Sequence, residues 1–127
     1  MLGLIAWTMT LTLALLTVRF SAMFKGHPAN GFAQDGGDLS RIGQRVTRAH
    51  GNSLEWLAIP MGLMAYSLAT DHTAVTDGLA MIFVYSRVAQ SVMHMISTSV
   101  PVVLVRASFF TVQNVIAIIW LFKLFVA

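Results

Sequence analysis

The chain alternates long apolar runs with short polar breaks, and the runs have the length of membrane spans. Leu2 to Phe24 carries no charge except Arg19 near its end, and about 20 apolar residues cross a bilayer. An arginine so placed can extend its aliphatic stem towards the interface. A cleaved signal peptide is the competing reading, but the basic leader is missing and the small-residue cleavage site is weak. Lys25 to Ser40 then turns polar and glycine-rich, with His27-Pro28, Asn30-Gly31 and Asp35-Gly36-Gly37-Asp38 as turn signals.

Asp38 or Ser40 is suited to cap a second helix. Its first part is polar (Arg41, Gln44, Arg45, Arg48, His50, Asn52) and its second part, Leu54 to Ala69, is apolar. Pro60 lies inside it and is expected to bend it, which membrane helices tolerate when neighbours satisfy the freed carbonyl. Thr70 to Gly78, with Asp71, His72 and Asp77, reads as a short polar turn. A third apolar run follows, and Ser97, Thr98, Ser99 and Pro101 mark a tight connection to a fourth. The pattern predicts one all-α domain, an integral membrane four-helix bundle with spans at about residues 2–24, 40–70, 79–97 and 102–125.

Composition agrees with the pattern: 57% of the 127 residues are hydrophobic and only 10% are charged, against about 25% charged in soluble domains. The net charge of +3 does not point to nucleic acid, because the basic residues form no Lys/Arg-rich run. Without cysteine there is no thiolate metal site and no cysteine nucleophile. The methionines fit apolar packing, the four histidines are widely spaced, and no metal is expected. Arg19, Lys25, Arg41, Arg45 and Arg48 cluster around the first connection, whereas the second holds two aspartates. The positive-inside rule therefore places the first and third connections in the cytoplasm and both termini on the other side. Lys123 argues weakly against this orientation.

The charged positions are not scattered around their helices. Arg41, Arg45, Arg48, Asn52 and Glu55 fall within an arc of roughly 80° at about 100° per residue. Arg87, Gln90, Ser91 and His94 form a second stripe, and Arg106 shares a face of the last helix with Gln113. Gln90, Ser91, Gln113 and Asn114, taken singly, read as interhelical hydrogen-bonding groups. The arginines ask for more, since a charge at membrane depth costs at least a few kcal/mol. Glu55 is the one acid within the spans available to Arg48, Arg87 and Arg106. The excess positive charge predicts an anionic guest, a carboxylate-bearing small molecule or a lipid headgroup. For Arg41 and Arg45, contact with anionic lipid at the interface is an equal alternative.

Arg45-Val-Thr-Arg48-Ala-His50-Gly-Asn52-Ser-Leu-Glu55, followed by Pro60, resembles the second-helix signature of the MAPEG family, the membrane-associated proteins of eicosanoid and glutathione metabolism. Arg87-Val-Ala-Gln90, then His94 and Arg106, resembles the remainder of that family's site. The resemblance implies a bacterial-type member in the inner membrane, a homotrimer with glutathione bound between protomers on the cytoplasmic side. Arg45, Arg48, His50, Asn52, Glu55, Arg87 and Gln90 would then form the glutathione site, arginine holding carboxylates and Glu55 the amino group. Arg106 would stabilise the glutathione thiolate, with His94 as a second catalytic candidate. The family's better-known enzymes commonly carry aromatic or imidazole groups where Gln90 and His94 stand, and Gln90 is neither acid nor base.

Two functions follow from that resemblance. One is a glutathione-dependent transferase or peroxidase acting on lipophilic electrophiles or hydroperoxides that arrive through the bilayer. The other is a non-catalytic member that binds a lipid or small amphiphile in the intersubunit groove. An anion pathway, requiring an oligomeric pore, is a more distant third.

Overall fold

The computed structural model describes residues 1–127 as four helices: α1 (Leu2–Phe24), α2 (Arg41–Ala69), α3 (Thr73–Ile96) and α4 (Val100–Phe125). α1, α3 and α4 are each long and apolar enough to cross a membrane. α2, the longest at 29 residues, carries the polar stripe in its N-terminal half. α2 packs against all three other helices and α3 against both flanks, while α1 and α4 do not pack together. The central pair thus positions both outer helices. Only 24 residues are buried, so most apolar side chains of α1 and α4 face outward, as lipid contact or a further protein surface requires.

Hydroxyls in the apolar spans are satisfied within their own helix. Thr8, Thr10, Thr12, Thr17 and Ser21 each donate to the carbonyl four residues earlier, which removes the cost of an unpartnered donor in hydrocarbon.

Between α1 and α2 the loop is tied to itself. His27 Nε2 pairs with Asp38 Oδ2 at 2.7 Å and its ring stacks on Phe32, while Asp38 Oδ1 accepts from the Ala33 amide. Asp38 is therefore occupied, and Ser40 is the N-cap of α2, its hydroxyl accepting from the Gly43 amide at 3.2 Å. Gly36 has φ +70°, and a Cβ there would stand 2.7 Å from Thr47 Oγ1. Both the left-handed backbone and the close approach to α2 require glycine. We expect Gly36→Ala to cost at least about 1–2 kcal/mol, read as a lower midpoint of thermal unfolding in detergent.

The polar break between α2 and α3 is shorter than the sequence suggests. The His72 amide donates to Ser67 O and the Asp71 amide to Leu68 O, the Schellman pattern, with Asp71 supplying the left-handed residue at φ 58°. Only Thr70–His72 is needed for the turn, so α3 begins at Thr73 and residues 73–78 are helical rather than loop. Thr76 is buried there because its hydroxyl meets Ser67 Oγ and Thr73 O. α4 likewise starts at Val100, with Pro101 in its first turn, where a missing N–H costs nothing. Replacing Asp71 with glycine is expected to raise stability by up to about 1 kcal/mol in the same unfolding assay.

Along its length the bundle changes character. At the end holding the second connection and both termini, Leu4, Met64, Phe83, Ile116 and Trp120 form an apolar core, with Phe83 and Trp120 stacked at 5.3 Å. Polar side chains of α2, α3 and α4 fill the middle, and the arginines gather at the other end.

Candidate active site

Antiparallel packing brings the N-terminal half of α2, the C-terminal half of α3 and the start of α4 to the same end of the bundle. Asn52, Gln90, His94, Val103, Arg106, Ala107 and Phe110 line a cleft of about 220 Å³ there. Arg106 Nη1 lies 3.1 Å from His94 Nδ1. A guanidinium only donates, so His94 Nδ1 accepts and the neutral ring carries its proton on Nε2. The apolar side of the cleft is one strip of α4, Val103, Ala107 and Phe110, and Phe110 is braced edge-on by Trp56 of α2.

One turn along α2, a second hollow of about 250 Å³ is lined by Arg41, Gln44, Arg45, Arg48 and Thr98, with no apolar side chain. Arg45 Nη1 donates to Ile96 O at 2.7 Å, capping one of the free carbonyls at the negative end of α3. Arg48 and Glu55 are exposed on the same face. The single ion pair of the chain is His27–Asp38 in the loop, and no arginine touches a carboxylate.

Arg87 and His50 depart from the positions expected of ligand-binding groups. Arg87 is 4% exposed and lies in the bundle interior instead of lining the cleft. Its Nη1 donates to Gln90 Oε1 at 3.1 Å and Gln113 Oε1 at 3.2 Å, and its Nη2 to the Asn52 carbonyl. Gln113 Nε2 donates to Gln90 Oε1 at 2.8 Å and to Phe109 O, and Gln90 Nε2 to Asn52 Oδ1 at 3.2 Å. His50 meets Thr12 of α1 at 3.1 Å. Nine residues from Arg41, it stands about 180° around α2 from the arginine stripe.

The reading from sequence missed the apolar strip and the partnership of Gln113 with Arg87. Phe110 was signalled by its spacing, four residues after Arg106 and three before Gln113, so that all three share a face. The pairing of Gln113 with a particular arginine depends on the relative height of α3 and α4, which no single helix encodes.

A cleft with an unpaired guanidinium, a neutral imidazole and an apolar wall, beside a hollow lined by three more guanidiniums, is suited to hold an anionic polar ligand next to a lipophilic one. Neither a curated protein nor a solved structure matches the chain. The model of the MAPEG family matches residues 1–126, essentially the whole length, and together with the helices above this establishes that the chain belongs to the MAPEG family, an integral membrane helical bundle.

Proposed function

We propose that this protein is a membrane-bound glutathione-dependent transferase or peroxidase acting on lipophilic electrophiles or hydroperoxides. The observation that carries the reading is Arg106: its guanidinium lines the cleft, and its one side-chain partner is a neutral imidazole. A cation held in place without a counter-ion is complementary to negative charge that arrives with a ligand.

The donor set fits glutathione, which has two carboxylates, an ammonium and a thiol. Arg48, with Arg45 and Arg41 on the same face, offers guanidinium forks for carboxylates. Glu55, free of any ion pair, is available to an ammonium. Glutathione, when bound, supplies the sulfur nucleophile. Arg106 favours its thiolate form by charge, His94 holds Arg106 in place, and the Val103–Ala107–Phe110 strip offers an apolar electrophile a surface beside the sulfur. Binding both partners in one cleft supplies proximity. We further propose a homotrimer in a bacterial inner membrane, with this end of the bundle at the cytoplasmic face, both termini opposite, and the site completed between protomers.

Calorimetric titration of glutathione into the detergent-purified protein tests the reading. Saturable binding is expected, lost in both Arg48→Ala and Glu55→Ala, together with conjugation of chlorodinitrobenzene. Failure of the folded protein to bind glutathione sinks the proposal. Binding without turnover of any electrophile or hydroperoxide favours the second reading, a non-catalytic protein that holds a lipid or small amphiphile on the same apolar strip. Gln90 is consistent with either outcome, because both ends of its amide are committed to neighbours.

A further inference from the structure

The amide network around Arg87 has a direction, and that direction can be followed side chain by side chain into the cleft. A guanidinium has five N–H donors and no acceptor. The end of Gln90 that meets Arg87 must therefore be its oxygen, and the end that remains must be its NH2 group. That NH2 lies 3.2 Å from the Asn52 carboxamide, so the atom of Asn52 facing it must be Oδ1. Gln113 obeys the same constraint: its oxygen faces Arg87, and its NH2 is shared between Gln90 Oε1 and Phe109 O. No other assignment of the three amides satisfies every contact, and all of them follow from one buried cation.

The consequence appears at Asn52. Its Oδ1 is used by Gln90, while its Nδ2 has no partner within the chain and is not fully buried, and the residue lines the cleft. At the facing wall Arg106 plays the part of Arg87. By donating to His94 Nδ1 it leaves Nε2–H as the free end of that ring. Gln90 also lines the cleft, but both ends of its amide are taken. The polar atoms there that still lack a partner, or have N–H to spare, are therefore donors: the Asn52 NH2, the Arg106 guanidinium and the His94 Nε2–H.

We propose that Arg87, acting through Gln90, holds the Asn52 carboxamide with its NH2 group turned into the cleft, which makes the cleft donor-only and selective for groups that accept. Carboxylates, thiolates, peroxide oxygens and carbonyl or nitro oxygens meet this requirement; amines and ammonium groups do not. Arg87 is thus a positioning residue that sets ligand polarity without touching the ligand, and Gln90, in the cleft wall, relays its effect to Asn52. The proposal deepens the glutathione reading and rests on it only for the choice of probe. It places the thiolate and a neighbouring peptide carbonyl of the tripeptide in the cleft, its carboxylates in the hollow at Arg48 and its ammonium outside, toward Glu55.

The test has one arm that needs no ligand. In detergent-solubilised protein labelled with 15N at asparagine and glutamine side chains, the Asn52 NH2 pair is assigned by its disappearance in Asn52→Asp, and its exchange with water is measured. Ready exchange is expected in the wild type. In Gln90→Glu the exchange is expected to slow, because the new carboxylate accepts from Arg87 and also draws the Asn52 NH2 inward. An Asn52 NH2 already protected in the wild type overturns the proposal.

The second arm is glutathione affinity. Gln90→Glu is expected to weaken binding at least about tenfold, whereas Arg87→Lys, which still only donates, stays within about threefold. A merely structural role predicts the opposite order, since Gln90→Glu gives Arg87 an ion-pair partner and Arg87→Lys removes the planar fork. Wild-type affinity in a folded Gln90→Glu overturns the proposal. Absence of glutathione binding in the wild type sinks the functional reading alone, and the exchange arm then decides the amide orientation by itself.

Discussion

Substituting Arg106 with alanine is expected to lower kcat for conjugation of chlorodinitrobenzene with glutathione by about 10²- to 10³-fold, with little change in the affinity for glutathione. The asymmetry follows from where the guanidinium acts. Carboxylates of the tripeptide are assigned to Arg48 and its neighbours, so the ground-state complex retains most of its contacts. Arg106 is the arginine that lines the cleft itself, so in the proposed complex its loss would raise the energy of the thiolate from which reaction starts. Arg106→Lys keeps the charge but loses the planar fork that can donate to His94 and to a ligand at once, so it is expected to fall between the two. His94→Gln retains an acceptor for Arg106 and should retain more activity than His94→Leu, which leaves the guanidinium unsupported. Equal kcat in Arg106→Ala and the wild type, measured at saturating glutathione, rules out the thiolate-stabilising role. A parallel loss of affinity and kcat assigns Arg106 to binding instead.

How far the sequence led differs between the scaffold and the site, and particular residues explain why. Helix number was legible because the apolar runs have the length of spans and the breaks between them hold Gly, Pro, Asp and Ser. The start of α3 was not, because Thr73 to Gly78 is polar by composition. A helix that begins outside the hydrocarbon has no need of apolar residues there, and the Schellman turn at Asp71 has no glycine to announce it. On α2, the angular arithmetic that groups Arg41, Arg45, Arg48, Asn52 and Glu55 also sets His50 apart, and the structure turns His50 to Thr12. Its place inside a contiguous motif had concealed that difference. Arg87 marks the limit of such arithmetic. Periodicity puts it on one stripe with Gln90 and His94, but whether the stripe opens to a ligand or closes on a neighbouring helix depends on what α4 presents at the same height. That turned out to be Gln113 for Arg87 and Arg106 for His94.

Gln113→Leu is expected to destabilise the fold by about 3 kcal/mol, and by more than Arg87→Met. The usual intuition runs the other way, because arginine is the larger and charged partner. Arg87, however, is 4% exposed and Gln113 is fully buried, and no carboxylate touches the guanidinium. Its desolvation is offset only by amide and carbonyl oxygens: Gln90 Oε1, Gln113 Oε1 and the Asn52 carbonyl. Leucine at position 113 withdraws one of these acceptors, deprives Gln90 Oε1 of the Gln113 NH2, and leaves the cation in place and under-satisfied. Removing one partner of a buried charge is the costly change because it leaves the charge uncompensated, whereas removing the charge leaves neutral acceptors unpaired, at a smaller cost each. Arg87→Met takes the cation away and still leaves the Gln113 NH2 on Gln90 Oε1 at 2.8 Å, so its cost is expected to stay near about 1–2 kcal/mol. Unfolding in mixed detergent micelles, followed by far-UV circular dichroism, ranks the two variants. A larger loss in Arg87→Met means that the guanidinium is a net stabilising centre tying α2, α3 and α4 together. A larger loss in Gln113→Leu means that the bundle tolerates Arg87 at a cost in stability, as a cation kept for a purpose other than holding the fold would be.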